Sequence, residues 1–185
     1  MDLKNLILER NSKEHIVGVA RYIGDDKKLI KELMECYFST ELKVASRASW
    51  IAGYVATAYP GCLVPYVSKI VNGFDKDQFN DTLKRNSLRL LLELKISKRF
   101  HGKLMNKCFE YLESFDAPPA VKANAMSILD NLSKLYPEIK AELKLVIDSR
   151  FSIESPAFKS RARKISSPPA KEGKASKTTG VVVFW

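Results

Sequence analysis

Apolar side chains along this chain recur at spacings of three and four, as in Leu29, Leu33 and Tyr37 or Val44, Ala48, Ile51 and Val55, which places them on one face of an α-helix. No segment before the last five residues shows a convincing strand pattern. The periodicity breaks at Gly24-Asp25-Asp26, Ser39-Thr40, Pro60-Gly61, Gly73 to Asp77, Lys95 to Ser97, Asp116 to Pro119, Pro137 and Glu154 to Pro156. Residues of these types end helices. The pattern therefore predicts helices over 12–23, 25–38, 41–59, 62–73, 78–95, 98–114, 118–136, 138–151 and 156–166.

These segments also resemble one another. Val44-Ala45-Ser46-Arg47-Ala48 aligns with Leu83-Lys84-Arg85-Asn86-Ser87, with Val121-Lys122-Ala123-Asn124-Ala125 and with Phe158-Lys159-Ser160-Arg161-Ala162, at intervals of 39, 38 and 37 residues. The register continues through Ile51, Leu90, Ile128 and Ile165, and through Val55, Leu94 and Leu132. A second landmark, the Tyr at 22, 59 and 136, precedes the second helix of a pair. A hairpin of about 38 residues cannot bury its own apolar stripe, so successive hairpins must stack into one continuous core. Small residues at Ala48, Ser87, Ala125 and Ala162 allow the helices to approach closely. Four pairs follow, 12–23 with 25–38, 41–59 with 62–73, 78–95 with 98–114 and 118–136 with 138–151, and a lone helix over 156–166 closes the array.

An apolar residue, then a basic one, then a small one, in a helix opened by an acidic or proline-containing loop, resembles the HEAT repeat. The pattern stands in Asp116-Ala117-Pro118-Pro119-Ala120-Val121-Lys122-Ala123-Asn124-Ala125 and again from Glu154 to Ala162. The resemblance covers residues 12–165, and the chain is similar to small bacterial HEAT-like proteins of unassigned function. It implies an all-α, right-handed α-solenoid of about four hairpins plus a terminal helix, with the domain spanning 1–165. For function it implies little, since HEAT-like solenoids serve as scaffolds, transport adaptors and, in the DNA-alkylation-repair glycosylases, enzymes.

In that family the basic residue after the apolar one pairs with an acidic loop residue of a neighbouring unit, which implies a structural role for Lys84, Lys122 and Lys159. Arg47, Asn86, Asn124 and Arg161 occupy one equivalent position, about 60° from the core stripe by helical geometry. This ladder could bond between stacked helices or offer polar groups to a partner. Lys43, Arg85, Arg89, Arg163 and Lys164 lie further round, where a core does not account for them. The resemblance puts the motif-bearing helices on the concave surface, so these cations would either make it electropositive, suited to phosphate or acidic peptide, or form an ordinary solvated face. Trp50, beside core residue Ile51, could cap the apolar seam or present its indole to the groove. The glycosylases use groove aromatics with a carboxylate, and no matching acid is found at the expected kind of position in this sequence.

Charge sharpens the choice of partner. The 185 residues carry 31 Lys and Arg against 21 Asp and Glu, a net charge of +10. Half of that excess lies in residues 153–185, so the folded part is mildly basic and acidic partners are favoured. At 45% hydrophobic residues the chain can bury one domain-sized core.

Cys36, Cys62 and Cys108 lack CxxC spacing and read as buried thiols of a reducing compartment. His15 and His101 read as surface residues without zinc-ligand spacing. No glycine-rich phosphate loop or GxSxG is present, and a long shallow surface does not suit a small-molecule substrate or a cofactor. No signal-like or membrane-spanning run is found, so a cytoplasmic protein is expected.

Residues 166–185 have the Pro, Ser, Lys and Gly content of a disordered basic tail, ending in Val181-Val182-Val183-Phe184-Trp185. That pentapeptide could add to a sheet edge or fill a groove, or have no role. Together these readings favour a non-enzymatic interaction module that takes an acidic protein surface or peptide through Lys43, Arg47, Trp50, Arg85, Arg89, Arg161, Arg163 and Lys164. Nucleic acid, or a glycosylase-like activity, is the alternative.

Overall fold

A computed structural model of the chain describes residues 2–76 and 79–166. The tail, with its apolar pentapeptide, lies outside the described residues. All described elements are helical: α1 (Leu3–Glu9), α2 (Lys13–Ile23), α3 (Lys27–Tyr37), α4 (Leu42–Ala58), α5 (Pro60–Leu63), α6 (Val67–Gly73), α7 (Asp81–Leu92), α8 (His101–Glu113), α9 (Pro119–Ser133), α10 (Glu138–Arg150) and α11 (Pro156–Ser166).

Local chemistry sets where these helices begin. Side-chain oxygens of Asp2, Ser12, Asp26 and Asn80 accept hydrogen bonds from amides of the first turns of α1, α2, α3 and α7. Each satisfies a backbone donor that the helix leaves open, and such a cap is worth about 1 kcal/mol. Pro119 opens α9, where its missing N–H costs nothing. Gly24 ends α2 at φ 51°, a conformation that a side chain disfavours.

The helices form two layers. The motif-bearing helices α4, α7, α9 and α11 stack in order, with α2 ahead of them, while α3 and α5 pack on α4, and α8 and α10 pack on α9. Val44, Leu83, Val121 and Phe158 are all buried, as are the small residues Ala48, Ser87, Ala125 and Ala162 that follow them. The repeat seen in the sequence is therefore the repeat of the core. Helix α9 packs on α8 before it more extensively than on α10 after it.

Four differences from the sequence expectation have physical causes. Helix α1, which the periodicity did not mark, packs Leu3 and Ile7 against α3 and α4. The helix expected over 62–73 is interrupted by a 3-10 turn at Val64–Tyr66, because Pro65 has no N–H for the α-helical ladder. Helix α7 ends at Leu92 rather than 95; the Glu93 and Leu94 amides bond instead to the carbonyls of Leu90 and Leu91, three residues back. Of the cysteines, Cys108 is buried, but Cys36 and Cys62 are only half-buried. Burial pushes the Cys108 thiol far above its ordinary value, so it stays protonated and inert.

Candidate functional site

The ladder position of the motif helices forms a run of polar contacts between neighbouring units. On α4, the Arg47 guanidinium donates to the carbonyls of Ile7 (3.3 Å) and Leu8 (2.7 Å) at the end of α1. On α7, Asn86 Nδ2 donates to Ser49 Oγ of α4 at 2.9 Å, and that hydroxyl donates to the Ser46 carbonyl. On α9, Asn124 Nδ2 donates to the Arg85 carbonyl of α7 at 3.1 Å. Each rung reaches back to an earlier helix, so the ladder fixes the register in which α4, α7 and α9 stack.

Beside this ladder, the seam between α4 and α7 carries a small surface hollow lined by Ser49, Trp50, Gly53, Tyr54, Asn86 and Arg89. Trp50 and Tyr54 are half-buried and rest on the core. The Arg89 guanidinium stands over the Tyr54 ring, 5.9 Å from its centre, within range of a cation–π attraction. Arg85 and Arg89 are exposed, and Arg85 Nε donates to Asn86 Oδ1 at 3.3 Å. Among the described residues neither arginine has a carboxylate within ion-pair distance.

The seam brings together Trp50, Arg85 and Arg89 from the residues singled out in the sequence. Lys43 lies exposed in the first turn of α4, and half-buried Arg47 is engaged with α1. Arg161, Arg163 and Lys164 sit on α11, which joins the array through α9; Arg161 is half-buried, the other two are exposed, and Arg163 lies 5.5 Å from the centre of the Phe151 ring. Tyr54 and Gly53 were missed, although Tyr54 follows Trp50 by four residues and so shares its helix face.

The lysines at the equivalent position of the motif helices behave in three ways. Lys122 ion-pairs with Glu154 of the loop before α11, Lys84 with Asp81 of its own first turn, and Lys159 donates to the Ser152 carbonyl. Histidine needs a correction: His101 is not a surface residue but 5% exposed, with Nδ1 3.0 Å from Tyr136 Oη and Nε2 3.0 Å from the Ile96 carbonyl. The carbonyl accepts only, so Nε2 carries the proton and Nδ1 accepts from the tyrosine in the neutral form. His15 is half-buried with Nε2 2.8 Å from the Leu6 carbonyl.

A wider open hollow of about 520 Å³ lies between α1 and α2, lined in part by Leu6, His15, Gly18 and Tyr22. Glu9 and Glu14 share its rim with Arg10, so it presents no single sign of charge. Among the described residues no group of His, Cys, Asp and Glu is arranged to hold a metal ion, and no helix is long and apolar enough to cross a membrane.

The stacked, ladder-linked hairpins agree with the comparison of the chain to known families, in which the HEAT repeat domain matches residues 3–168. The chain belongs to the HEAT repeat family. No curated protein and no solved structure matches it. In this HEAT array the motif-bearing helices present the α4–α7 seam as a shallow, cationic and aromatic surface.

Proposed function

We propose that this HEAT array is a non-enzymatic, cytoplasmic interaction module that docks an acidic segment of another protein on its motif-bearing layer. The observation that carries the reading is Arg89 over the ring of half-buried Tyr54, beside half-buried Trp50, with Arg85 one turn earlier on α7 bonded to Asn86; both arginines are exposed and without an acidic partner among the described residues. Aromatic and arginine side chains dominate binding energy at protein interfaces, because they bury large areas and lose little freedom per contact. The cations supply attraction to carboxylates and speed encounter. HEAT repeats commonly mediate protein interaction, which supports the same reading.

The same aromatic and cationic groups would suit single-stranded nucleic acid, where bases stack on rings and phosphates meet arginines. A glycosylase-like reading finds less support, since Ser49, Trp50, Gly53, Tyr54, Asn86 and Arg89 include no carboxylate to serve as its acid.

Fluorescence anisotropy with a labelled pool of short acidic peptides and with a labelled single-stranded oligonucleotide, each at low and moderate salt, tests the proposal. The peptides should bind, and the double variant Arg85→Glu, Arg89→Glu should weaken that binding at least ten-fold while retaining its helical spectrum. Equal binding by the variant would sink the proposal. A tighter complex with the oligonucleotide, weakening steeply as salt rises, would replace it with the nucleic-acid reading.

A further inference from the structure

Helix α4 runs 17 residues from Leu42 to Ala58 and carries a glycine, Gly53, in its interior. Glycine there destabilises a helix relative to alanine, because the free chain loses more conformational freedom. Two structural reasons usually compensate, and neither applies. Gly53 does not have a positive φ. A Cβ at position 53 would meet nothing within 4 Å, so no neighbour requires the space. At Gly73 the contrast is plain, since a Cβ there would lie 2.5 Å from Cζ of Phe79. The open space at Gly53 serves the surface rather than the core.

What surrounds that space is specific. Trp50 and Tyr54 flank it on the same helix, and Arg89, held over the Tyr54 ring, closes it from α7. Gly18, Gly61 and Gly102 are equally open, and Gly18 also lies inside a helix, but Gly18 faces the α1–α2 hollow of mixed charge and none of the three has this aromatic and cationic frame. The hollow encloses about 10 Å³, close to the volume that one water needs. A hollow of that size excludes a free small molecule, and its aromatic and guanidinium rim is of the kind that the edge of a ring carried on a larger partner packs against. Ring edges favour the faces and edges of other rings, and the carboxylates beside such a ring would meet Arg85 and Arg89.

We infer that Gly53 opens a seat, framed by Trp50, Tyr54 and Arg89, for the ring of a Phe or Tyr in an extended acidic peptide whose neighbouring carboxylates pair with Arg85 and Arg89. This rests on the docking face proposed above and adds the chemistry of its partner. Charge complementarity selects an acidic segment, and the aromatic rim of Trp50 and Tyr54 favours a ring over an aliphatic side chain. The methyl of a new Cβ would occupy the seat without disturbing the helix, so the fold and the binding should respond to it in opposite directions.

The test is a ¹H–¹⁵N NMR titration of the full chain with a pool of short peptides built from Glu, Asp, Phe and Tyr. A matched pool with Gln and Asn for the acids serves as control. The acidic pool should shift the Gly53 amide and the Trp50 indole, and the control pool should not. Gly53→Ala should weaken the affinity at least five-fold while its Tm stays level or rises by a few degrees. If Gly53→Ala binds like the wild type while the Arg85→Glu, Arg89→Glu variant does not, the seat is overturned and the docking face stands. If the Tm of Gly53→Ala falls, something meets the new methyl and the seat is overturned. Shifts confined to other helices, or no shifts, overturn both the seat and the face. Stronger shifts of the same two signals by oligothymidylate overturn the peptide as partner.

Discussion

Lys122 Nζ lies 2.5 Å from Glu154 Oε1, and the two side chains are only 4% and 7% exposed. The pair joins the first turn of α9 to the loop before α11. The same carboxylate oxygen accepts from Arg150 Nε at 3.0 Å, and the Arg150 guanidinium also donates to the Glu113 and Ser114 carbonyls at the end of α8. One acid therefore ties four helices, and its removal leaves two cations shielded from water without a counter-charge. Glu154→Gln should cost about 3–5 kcal/mol in urea unfolding, the range for breaking a buried pair. Lys122→Met should cost less, because Arg150 still compensates the carboxylate.

The pH dependence follows from the same contacts. Burial pushes the Glu154 carboxyl up, but the hydrogen bonds and charges of Lys122 and Arg150 outweigh it and hold the group below the ordinary carboxylate value. A group lowered on folding stabilises the fold above its unfolded value and loses that contribution as pH falls through its folded value. The Tm difference between wild type and Glu154→Gln should be full at neutral pH and shrink below pH of about 4. A difference that stays constant down to pH of about 2 would contradict this assignment.

Tyr37 and Ser87 give a prediction of asymmetry. The two hydroxyls are hydrogen-bonded in the core between α3 and α7, and Ser87 Oγ also donates to the Leu83 carbonyl at 2.6 Å. With its proton so placed, Ser87 accepts from Tyr37. Tyr37→Phe removes the donor and leaves an acceptor whose own proton remains bonded, at a cost of about 1 kcal/mol. Ser87→Ala leaves the fully buried tyrosine hydroxyl without a partner and should cost about 1–3 kcal/mol. Chemical denaturation of both variants checks the order; a costlier Tyr37→Phe would mean that the proton runs the other way.

The core was readable in the sequence because burial follows the repeat. Val44, Leu83, Val121 and Phe158 recur, and all four are buried. The interior of a unit needs only local periodicity and a neighbour of the same kind. What escaped was set by contacts that have no repeat. His101 is covered through Tyr136, 35 residues later, and α1 has no equivalent in the later units. The candidate site was half legible. Trp50, Arg85 and Arg89 stood out by residue type, but Gly53 reads in sequence as a helix weakness. Its meaning depends on which atoms stand above it, and that is decided by how α4 and α7 cross.

The two glycines at 53 and 73 should respond oppositely to alanine. At Gly53 the helix gains about 0.5–1 kcal/mol from the lost freedom of the unfolded chain, since beyond its own backbone and its chain neighbours nothing lies within 4 Å of the new methyl. At Gly73 the methyl would lie 2.5 Å from Cζ and 2.6 Å from Cε2 of Phe79, a ring buried against Phe74 and Tyr37. The ring belongs to the core and cannot swing away, so Gly73→Ala should cost about 1–3 kcal/mol through overpacking. Thermal unfolding followed by circular dichroism compares them directly. A Gly73→Ala protein as stable as the wild type would show that Phe79 can yield.

Arg47 separates a role in the fold from a role at the surface. Its guanidinium spans the carbonyls of Ile7 and Leu8, which α1, as a helix ending at Glu9, leaves without intrahelical partners. A charged donor to a carbonyl is worth about 1.5–3 kcal/mol when shielded, and half-burial places Arg47 toward the lower end. The loss should be local. Helix α1 holds to the array by the burial of Leu3 and Ile7, so Arg47→Ala should release α1 before the repeats themselves unfold. Native-state hydrogen exchange should show faster exchange of the α1 amides, with the amides of α7 and α9 unchanged, and the Tm should fall by only a few degrees. If exchange in α1 stays slow, its other ties, the burial of Leu3 and Ile7, the His15 contact with the Leu6 carbonyl and the Lys4–Glu41 pair, suffice to hold it and the arginine is available to a partner after all.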